Sequence, residues 1–469
     1  MSQGLARGAT IGLLTVGLER GIAFLTLLVV ARVLAPSEFG VYVFLLAGVV
    51  PMQVMADQGI EIVAVAAMAR QPLAQGRVLA GVLVARALLW LVVALPVALV
   101  VLGNTGSGAL RGAALAASGL VLVGPSLPYR SLARARGEMG YLLAITLADA
   151  LAGAAAMMAA LVAGGGAAAL LGARVLASLL VTAVAATRFP VSPRLAPRAA
   201  LACATDLARA AWPLSVNALL LTLVVRAGHL VLMALAGASA VAYLGAAGRV
   251  AEMVSLLADG VMLAVFPVMA AIPAQANDVS ARVARWLALL VLWAVVSVSA
   301  GSHAIMLLLY GADYLPGAVA LGVLTWGGLF AATGTLVLHG LVAAGHQRLL
   351  LATNLGAMAT AVGLQLVLVP RFGLAGSAAA TVIALATGQV LLALVPTSRA
   401  SVFASWRAAA PVVALAASTQ IAVLASGTPA WTRGPAAALL FAVGAWVTGL
   451  VRREDVAAFG RALRRPRTG

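Results

Sequence analysis

Apolar runs long enough to cross a bilayer recur from one end of this chain to the other. The first, ATIGLLTVGLERGIAFLTLLVVAR over residues 9–32, meets the roughly 20 residues that a helix rising about 1.5 Å per residue needs to span hydrocarbon. Glu19 and Arg20 stand near its middle. An ionisable side chain at that depth costs on the order of 2.5–3.5 kcal/mol. This helix must therefore turn at least one of the two towards a polar cavity or a partner. Fourteen such segments can be drawn, at about 9–33, 41–68, 78–102, 109–128, 141–163, 166–187, 208–235, 240–271, 283–309, 317–341, 348–369, 373–396, 405–425 and 434–451. Of 469 residues 64% are hydrophobic and 9% charged, against about 25% charged in a soluble domain. Such a chain cannot bury its apolar surface in water. Its continuous runs also exclude a barrel, which would alternate over segments of about 10 residues. The expected fold is an all-α polytopic membrane protein with about 14 transmembrane helices.

The net charge is +17, and every basic residue is arginine. Nucleic-acid binding is one reading of such a charge, but the arginines fall mostly between the apolar segments, as the positive-inside rule requires. With the N-terminus inside, 21 arginines lie on the cytoplasmic side, Arg130, Arg134 and Arg136 among them. The opposite side holds four: Arg32, Arg111, Arg371 and Arg433. The expectation is a multi-pass protein with both termini cytoplasmic and no nucleic-acid partner. Cys203 is the single cysteine, so no internal disulfide forms. The first segment has full spanning length and no small-residue cleavage site, so it reads as a retained helix and not a signal peptide.

An internal repeat sets the organisation. ARGEMGYLLA (135–144) matches AAGHQRLLLA (343–352) at an offset of 208. Tyr42 with Ala56-Asp57 matches Tyr243 with Ala258-Asp259. The Gly-rich start of the sixth segment matches that of the twelfth. Two parallel six-helix repeats around a central cavity follow, because an even unit inserts twice in the same sense. The expected divisions are an N-terminal lobe over 1–190, a Pro-rich cytoplasmic linker over 191–207 and a C-terminal lobe over 208–396. Two additional helices over 397–451 and a basic cytoplasmic tail over 452–469 complete the chain.

Several stretches resemble one family. ARVLAPSEFGVYVF (31–44) is similar to the first loop of the Wzx-type polysaccharide flippases, members of the multidrug/oligosaccharidyl-lipid/polysaccharide exporter superfamily. AWPLSVNALLLTLVVRAGH (211–229), VAYLGAAGRVAEM (241–253), the Phe266-Pro267 step, YGADY (310–314) and PRFGLAGSAAATV (370–382) follow in the family's order. The resemblance implies a flippase that moves a polyprenyl-pyrophosphate-linked oligosaccharide across the bacterial inner membrane by alternating access. The product would feed cell-surface polysaccharide such as O-antigen or exopolysaccharide. The implied partners are that lipid-linked glycan, membrane lipids and other polysaccharide-assembly proteins. No cofactor is implied.

The ionisable residues inside spans carry the site reading, since such residues line polar paths. Arg20 and Arg226 hold roughly equivalent places on the first helices of the two repeats, and Arg249 lies on the eighth. A guanidinium binds phosphate oxygens in a bidentate way. Arg20, Arg226 and Arg249 are therefore candidate pyrophosphate ligands, with Arg86 and Arg174 as weaker ones. Glu19, Asp57, Glu61, Glu252 and Asp259 are candidate ion-coupling carboxylates. Asp57 and Glu61, at i and i+4, share a helical face. The same carboxylates could instead be salt-bridge partners of the arginines, and both readings stay open here. His229 follows Arg226 by one turn on the same face and reads as a cavity-wall residue, with a titrating role as the alternative.

No G-x-x-x-x-G-K loop and no Cys/His cluster of metal spacing occurs, which disfavours an ATP-driven pump. The remaining rivals are a membrane-embedded glycosyltransferase or polymerase using Glu38 in the first external loop, and a drug/cation antiporter of the same superfamily. The absence of a long external loop and the six-helix repeat speak against the enzyme. No catalytic residue is assigned.

Overall fold

The computed structural model describes residues 2–104, 108–123, 127–189, 197–271, 276–331, 333–334, 337 and 347–451. Among these the chain is almost wholly helical, with no strand. Apolar side chains on all sides of a helix demand burial or lipid, and helices satisfy their backbone groups internally, so the all-α membrane fold read from the sequence is the one observed.

Two compact units emerge. The first comprises Met1–Ala246 and Gln347–Ala380. It begins with α1 (Ser2–Val33) and α2 (Pro36–Val54). A π-helical turn, Met55–Ile60, leads into α3 (Glu61–Arg70). Next come α4 (Gln75–Leu89), a second π-helical turn (Trp90–Ala94) and α5 (Leu95–Asn104). The unit continues through α6 (Gly108–Val123), α7 (Leu127–Arg136), α8 (Met139–Val162), α9 (Ala167–Arg188) and α10 (Pro197–Leu235). The start of α11 (Ala238–Ala271) closes its main run. Its core joins Ile60, Met68, Leu79, Val82, Tyr129 and Ile145. In this unit α1 lies along α8, α8 along α9, and α10 against α2 and α4.

The second unit comprises Ala247–His346 and Thr381–Gly469. It holds the rest of α11, then α12 (Ala276–Ala300), α13 (Ser302–Tyr310) and α14 (Gly317–Leu324). A long helical run, α15 (Gln347–Leu394), passes from one unit into the other. The chain ends in α16 (Pro396–Ala425) and α17 (Ala430–Val447). Leu292, Val295 and Val296 of α12 pack on Val412 and Ala416 of α16 and on Ala437 and Phe441 of α17. The last two helices are thus built onto α12. Gly301, just beyond α12, and Gly434 of α17 set how closely they approach. A β-carbon on Gly434 would lie 3.1 Å from the Ser297 carbonyl oxygen and 3.3 Å from the Gly301 Cα. We expect Gly434→Leu to lower the stability of the detergent-solubilised protein by about 1–3 kcal/mol, the usual cost of overpacking. Thermal unfolding checks this, with Gly363→Leu, which meets open space, as the control.

Fourteen spans were expected. Eight helices among the described residues are long and apolar enough to cross a membrane, nine if Ala284–Ala300 and Ser302–Tyr310, bent by 73°, form one broken span. Part of the difference is physical. The run Leu349–Leu394 joins two expected spans across Gly373, whose φ of 53° lies in the left-handed region that favours glycine. Gln365 Nε2 donates to the Ser377 carbonyl oxygen at 3.0 Å across twelve residues. A straight helix would separate those residues by about 18 Å, so the chain doubles back at Gly373. The expected segment 109–128 is the shorter α6, of 16 residues. Leu180, Val184, Ile421, Leu439 and Val443 are exposed. In a spanning protein such surfaces face hydrocarbon.

Candidate functional site

The ionisable side chains of the first unit are organised around Asp149 on α8, which is 1% exposed. Its Oδ2 accepts from Arg174 Nη2 of α9 at 2.7 Å, and its Oδ1 accepts from Ser178 Oγ at 2.8 Å. Arg174 Nη1 also donates to Ser178 Oγ at 2.7 Å. Arg130 of α7 approaches Asp149 from the other side, Nη2 to Oδ2 at 3.7 Å. Its Nη1 donates to Glu19 Oε1 of α1 at 2.8 Å. The result is a chain of charges, Glu19–Arg130–Asp149–Arg174, that ties four helices together and is neutral as a whole. Gly153, one turn beyond Asp149, makes room for it. A β-carbon there would lie 2.8 Å from the Arg174 Cδ and Cζ atoms.

Two further pairs stand nearby. Arg86, buried on α4, pairs with Asp57 in the first π-helical turn and donates to the Val121 carbonyl oxygen of α6 at 3.4 Å. Glu61 accepts from Arg134 Nη1 of α7 at 2.6 Å and takes a hydrogen bond from the Ser131 side chain. Asp57 and Glu61 thus engage different arginines. Sharing a helix does not make them share a partner, because Arg86 reaches Asp57 from α4 and Arg134 reaches Glu61 from α7.

Arg20 is exposed on α1. Arg226 is half-buried on α10, and His229 on the same helix is buried. Close by, Gly228 lets α10 approach the Gln365 and Ser377 side chains of α15, and Asn354 Nδ2 donates to Asn217 Oδ1 at 2.6 Å. In the second unit Arg249 Nη1 donates to Glu252 Oε2 at 3.0 Å, an i,i+3 pair along α11. The Asp259 side chain, His339, His346 and the tail over 452–469 lie outside the described residues. No group of three or more metal-ligating side chains occurs among the described residues.

Sequence reasoning had placed Arg130 in a loop between helices. It is instead on α7, 5% exposed and central to the ionic chain. Pro125 and Pro128 disguised it, because two prolines close together read as the end of an apolar run, whereas Pro128 is the second residue of α7. The available signal was the i,i+4 spacing of Arg130 and Arg134 around Ser131, which puts both guanidinium groups on one face. Ser178 and Gly153 had no such signal.

Residues 5–272 match the family model described as polysaccharide biosynthesis protein. The chain belongs to the polysaccharide biosynthesis protein family. This is the family expected from the 31–44 motif and the segments that follow it. No curated protein sequence matches this family member. Among solved structures it is similar to the lipid II flippase MurJ in an inward closed conformation, with a TM-score of 0.70 at 12% identity, covering 93% of this chain and 98% of that one. It is also similar to an inward-facing multidrug resistance MATE family transporter of the MOP superfamily, with a TM-score of 0.64 at 15% identity, covering 83% and 96%. A MOP superfamily transporter from Pyrococcus furiosus, described by the reverse polarity of its binding pocket, gives 0.52 at 13% identity, covering 85% and 95%. At these identities the likeness shows the fold, a polytopic helical membrane architecture, which the polysaccharide family member shares over most of its length.

Proposed function

We propose that the protein flips a polyprenyl-pyrophosphate-linked oligosaccharide across the bacterial inner membrane by alternating access, with both termini in the cytoplasm. Membership of the polysaccharide biosynthesis family supports the substrate class. The observation that carries the site is on α1. Glu19 is held by Arg130, while the adjacent Arg20, about 100° further round the helix, is exposed in the middle of an apolar span. An arginine there is strongly disfavoured against hydrocarbon, so its position fits a water-filled path in which an anionic headgroup travels. Arg226 of the same unit and Arg249 of the other are assigned the same role. Arg86 and Arg174, each held by a carboxylate, are assigned a lesser share in it. Glu19, Asp57, Glu61, Glu252 and Asp259 remain the candidates for ion coupling. Because a ligand shifts an equilibrium only by its differential affinity for the two states, the arginines should grip the pyrophosphate more tightly in one of them.

The test is flipping of a fluorescent polyprenyl-pyrophosphate sugar in proteoliposomes. We expect wild type to expose the sugar to an external probe. Arg20→Ala and Arg226→Ala should slow this by roughly tenfold or more, the scale of a lost charge-assisted hydrogen bond. Unchanged rates in both variants overturn the site. Extension or transfer of the glycan without flipping overturns the transport reading in favour of an enzyme. Export of a cationic drug with no sugar movement favours an antiporter.

A further inference from the structure

One end of the first unit carries a cluster that the flipping reading does not use. The C-terminus of α7, the start of α8, the C-terminus of α9 and the start of α4 meet there. Arg136 of α7 stacks over the Phe189 ring, 4.7 Å from its centroid. Arg188 of α9 lies 4.5 Å from the centroid of Tyr141 and 5.5 Å from that of Phe189. The two rings pack edge to face, 5.3 Å apart. Arg136 Nε donates to Gln75 Oε1 at 2.8 Å, which pins the guanidinium in place.

We propose that Arg136 and Arg188, held on the Phe189 and Tyr141 rings, bind the phosphodiester of an anionic membrane phospholipid. Charge is the first argument. Glu138 is shared between the two arginines at long range, 3.9 Å to Arg136 and 3.5 Å to Arg188. One carboxylate faces two guanidinium groups, and a monoanionic phosphodiester would balance the remainder. Geometry is the second. Both guanidinium groups lie within 5.5 Å of the Phe189 centroid, and the ring contacts restrict two forks suited to bidentate contact with phosphate oxygens. Surroundings are the third. Leu73 projects fully exposed from the short turn Pro72–Ala74, with exposed Arg70 and Arg77 on either side of it in the chain. An apolar tip among arginines suits the boundary between acyl chains and headgroups, where basic pockets at helix ends take anionic lipid. The positive-inside rule accounts for arginines at this end but not for their ordering on an aromatic pair.

The experiment is native mass spectrometry of the full chain in detergent, titrated with phosphatidylglycerol or phosphatidylcholine. It reads binding alone, so its outcome is independent of whether the protein flips a glycan. We expect wild type to retain phosphatidylglycerol preferentially. Arg136→Gln with Arg188→Gln should weaken this at least about fivefold, the effect of one arginine near an anionic lipid surface. Arg70→Gln with Arg77→Gln, which are not held on the aromatic pair, should weaken the preference less than the Arg136 and Arg188 pair of substitutions does. Arg188 is 58% exposed, so Arg188→Gln alone is expected to fold and to show a smaller loss. Equal retention of the two lipids by wild type, or undiminished phosphatidylglycerol binding in the double variant, overturns the proposal. Displacement by millimolar inorganic phosphate also overturns it, because the cluster would then be a site for a soluble anion.

Discussion

Asp149→Ala is expected to lower the stability of the protein by about 3–5 kcal/mol, the cost of leaving buried charges without their partner. Removing the carboxylate strips Arg174 and Ser178 of their shared acceptor and takes Asp149 away from Arg130, which keeps its bond to Glu19. Asp149→Asn, which keeps the shape and the Ser178 contact, should cost less. Arg174→Gln in the Asp149→Ala background should cost little more, because its partner is already gone. A double-mutant cycle between the two should return a coupling of roughly 0.5–3 kcal/mol. Thermal or denaturant unfolding in detergent checks each variant. An Asp149→Ala protein that melts with wild type would show that the ionic chain does not hold the four helices.

Gly40→Val should also be damaging, for a steric reason. A β-carbon at Gly40 would overlap the carbonyl of Ala238, and that atom is backbone, so it cannot swing aside. Val43, three residues on, packs onto Gly245 in the same way. The start of α11 therefore lies directly on α2. Adding a branched side chain there should cost at least the about 1–3 kcal/mol typical of overpacking. Gly48→Ala on the same helix meets open space and should change stability by less than about 1 kcal/mol, in the favourable direction that helix propensity sets. Comparable losses for the two variants would mean that α2 and α11 are not in contact.

Gly40 also shows what was legible in the sequence and what was not. The stretch Phe39-Gly40 stood out as part of a recognisable loop motif, but nothing in the motif said that the glycine is a contact point. Hydrophobic run length was enough for the all-α membrane fold, because it depends on local composition alone. The reversal at Gly373 was foreshadowed by PRFGLAG, a proline and glycines between two apolar runs. The pairing of charges was not readable. In the sequence Arg174 is only a weaker candidate ligand, with a carboxylate partner as the open alternative. Its link to Asp149 spans 25 residues, and that of Arg130 to Glu19 spans 111. Periodicity reports which face a residue occupies, not which distant helix meets it. The π-helical turn at Asp57 was not readable for a related reason, since a local change of winding leaves no mark on apolar spacing.

The span between Glu19 and Arg130 has a consequence for biogenesis. A ribosome making this chain releases the first helix 111 residues before the arginine that neutralises its glutamate. At synthesis rates of about 5–20 residues per second, the interval is on the order of ten seconds. During that time α1 carries Glu19 and Arg20 with no partner from α7. The insertion machinery must shelter this helix, or the two adjacent charges must cover each other, until α7 emerges. The residue pair that later fastens α1 in the folded protein thus makes its first helix dependent on delayed release into lipid.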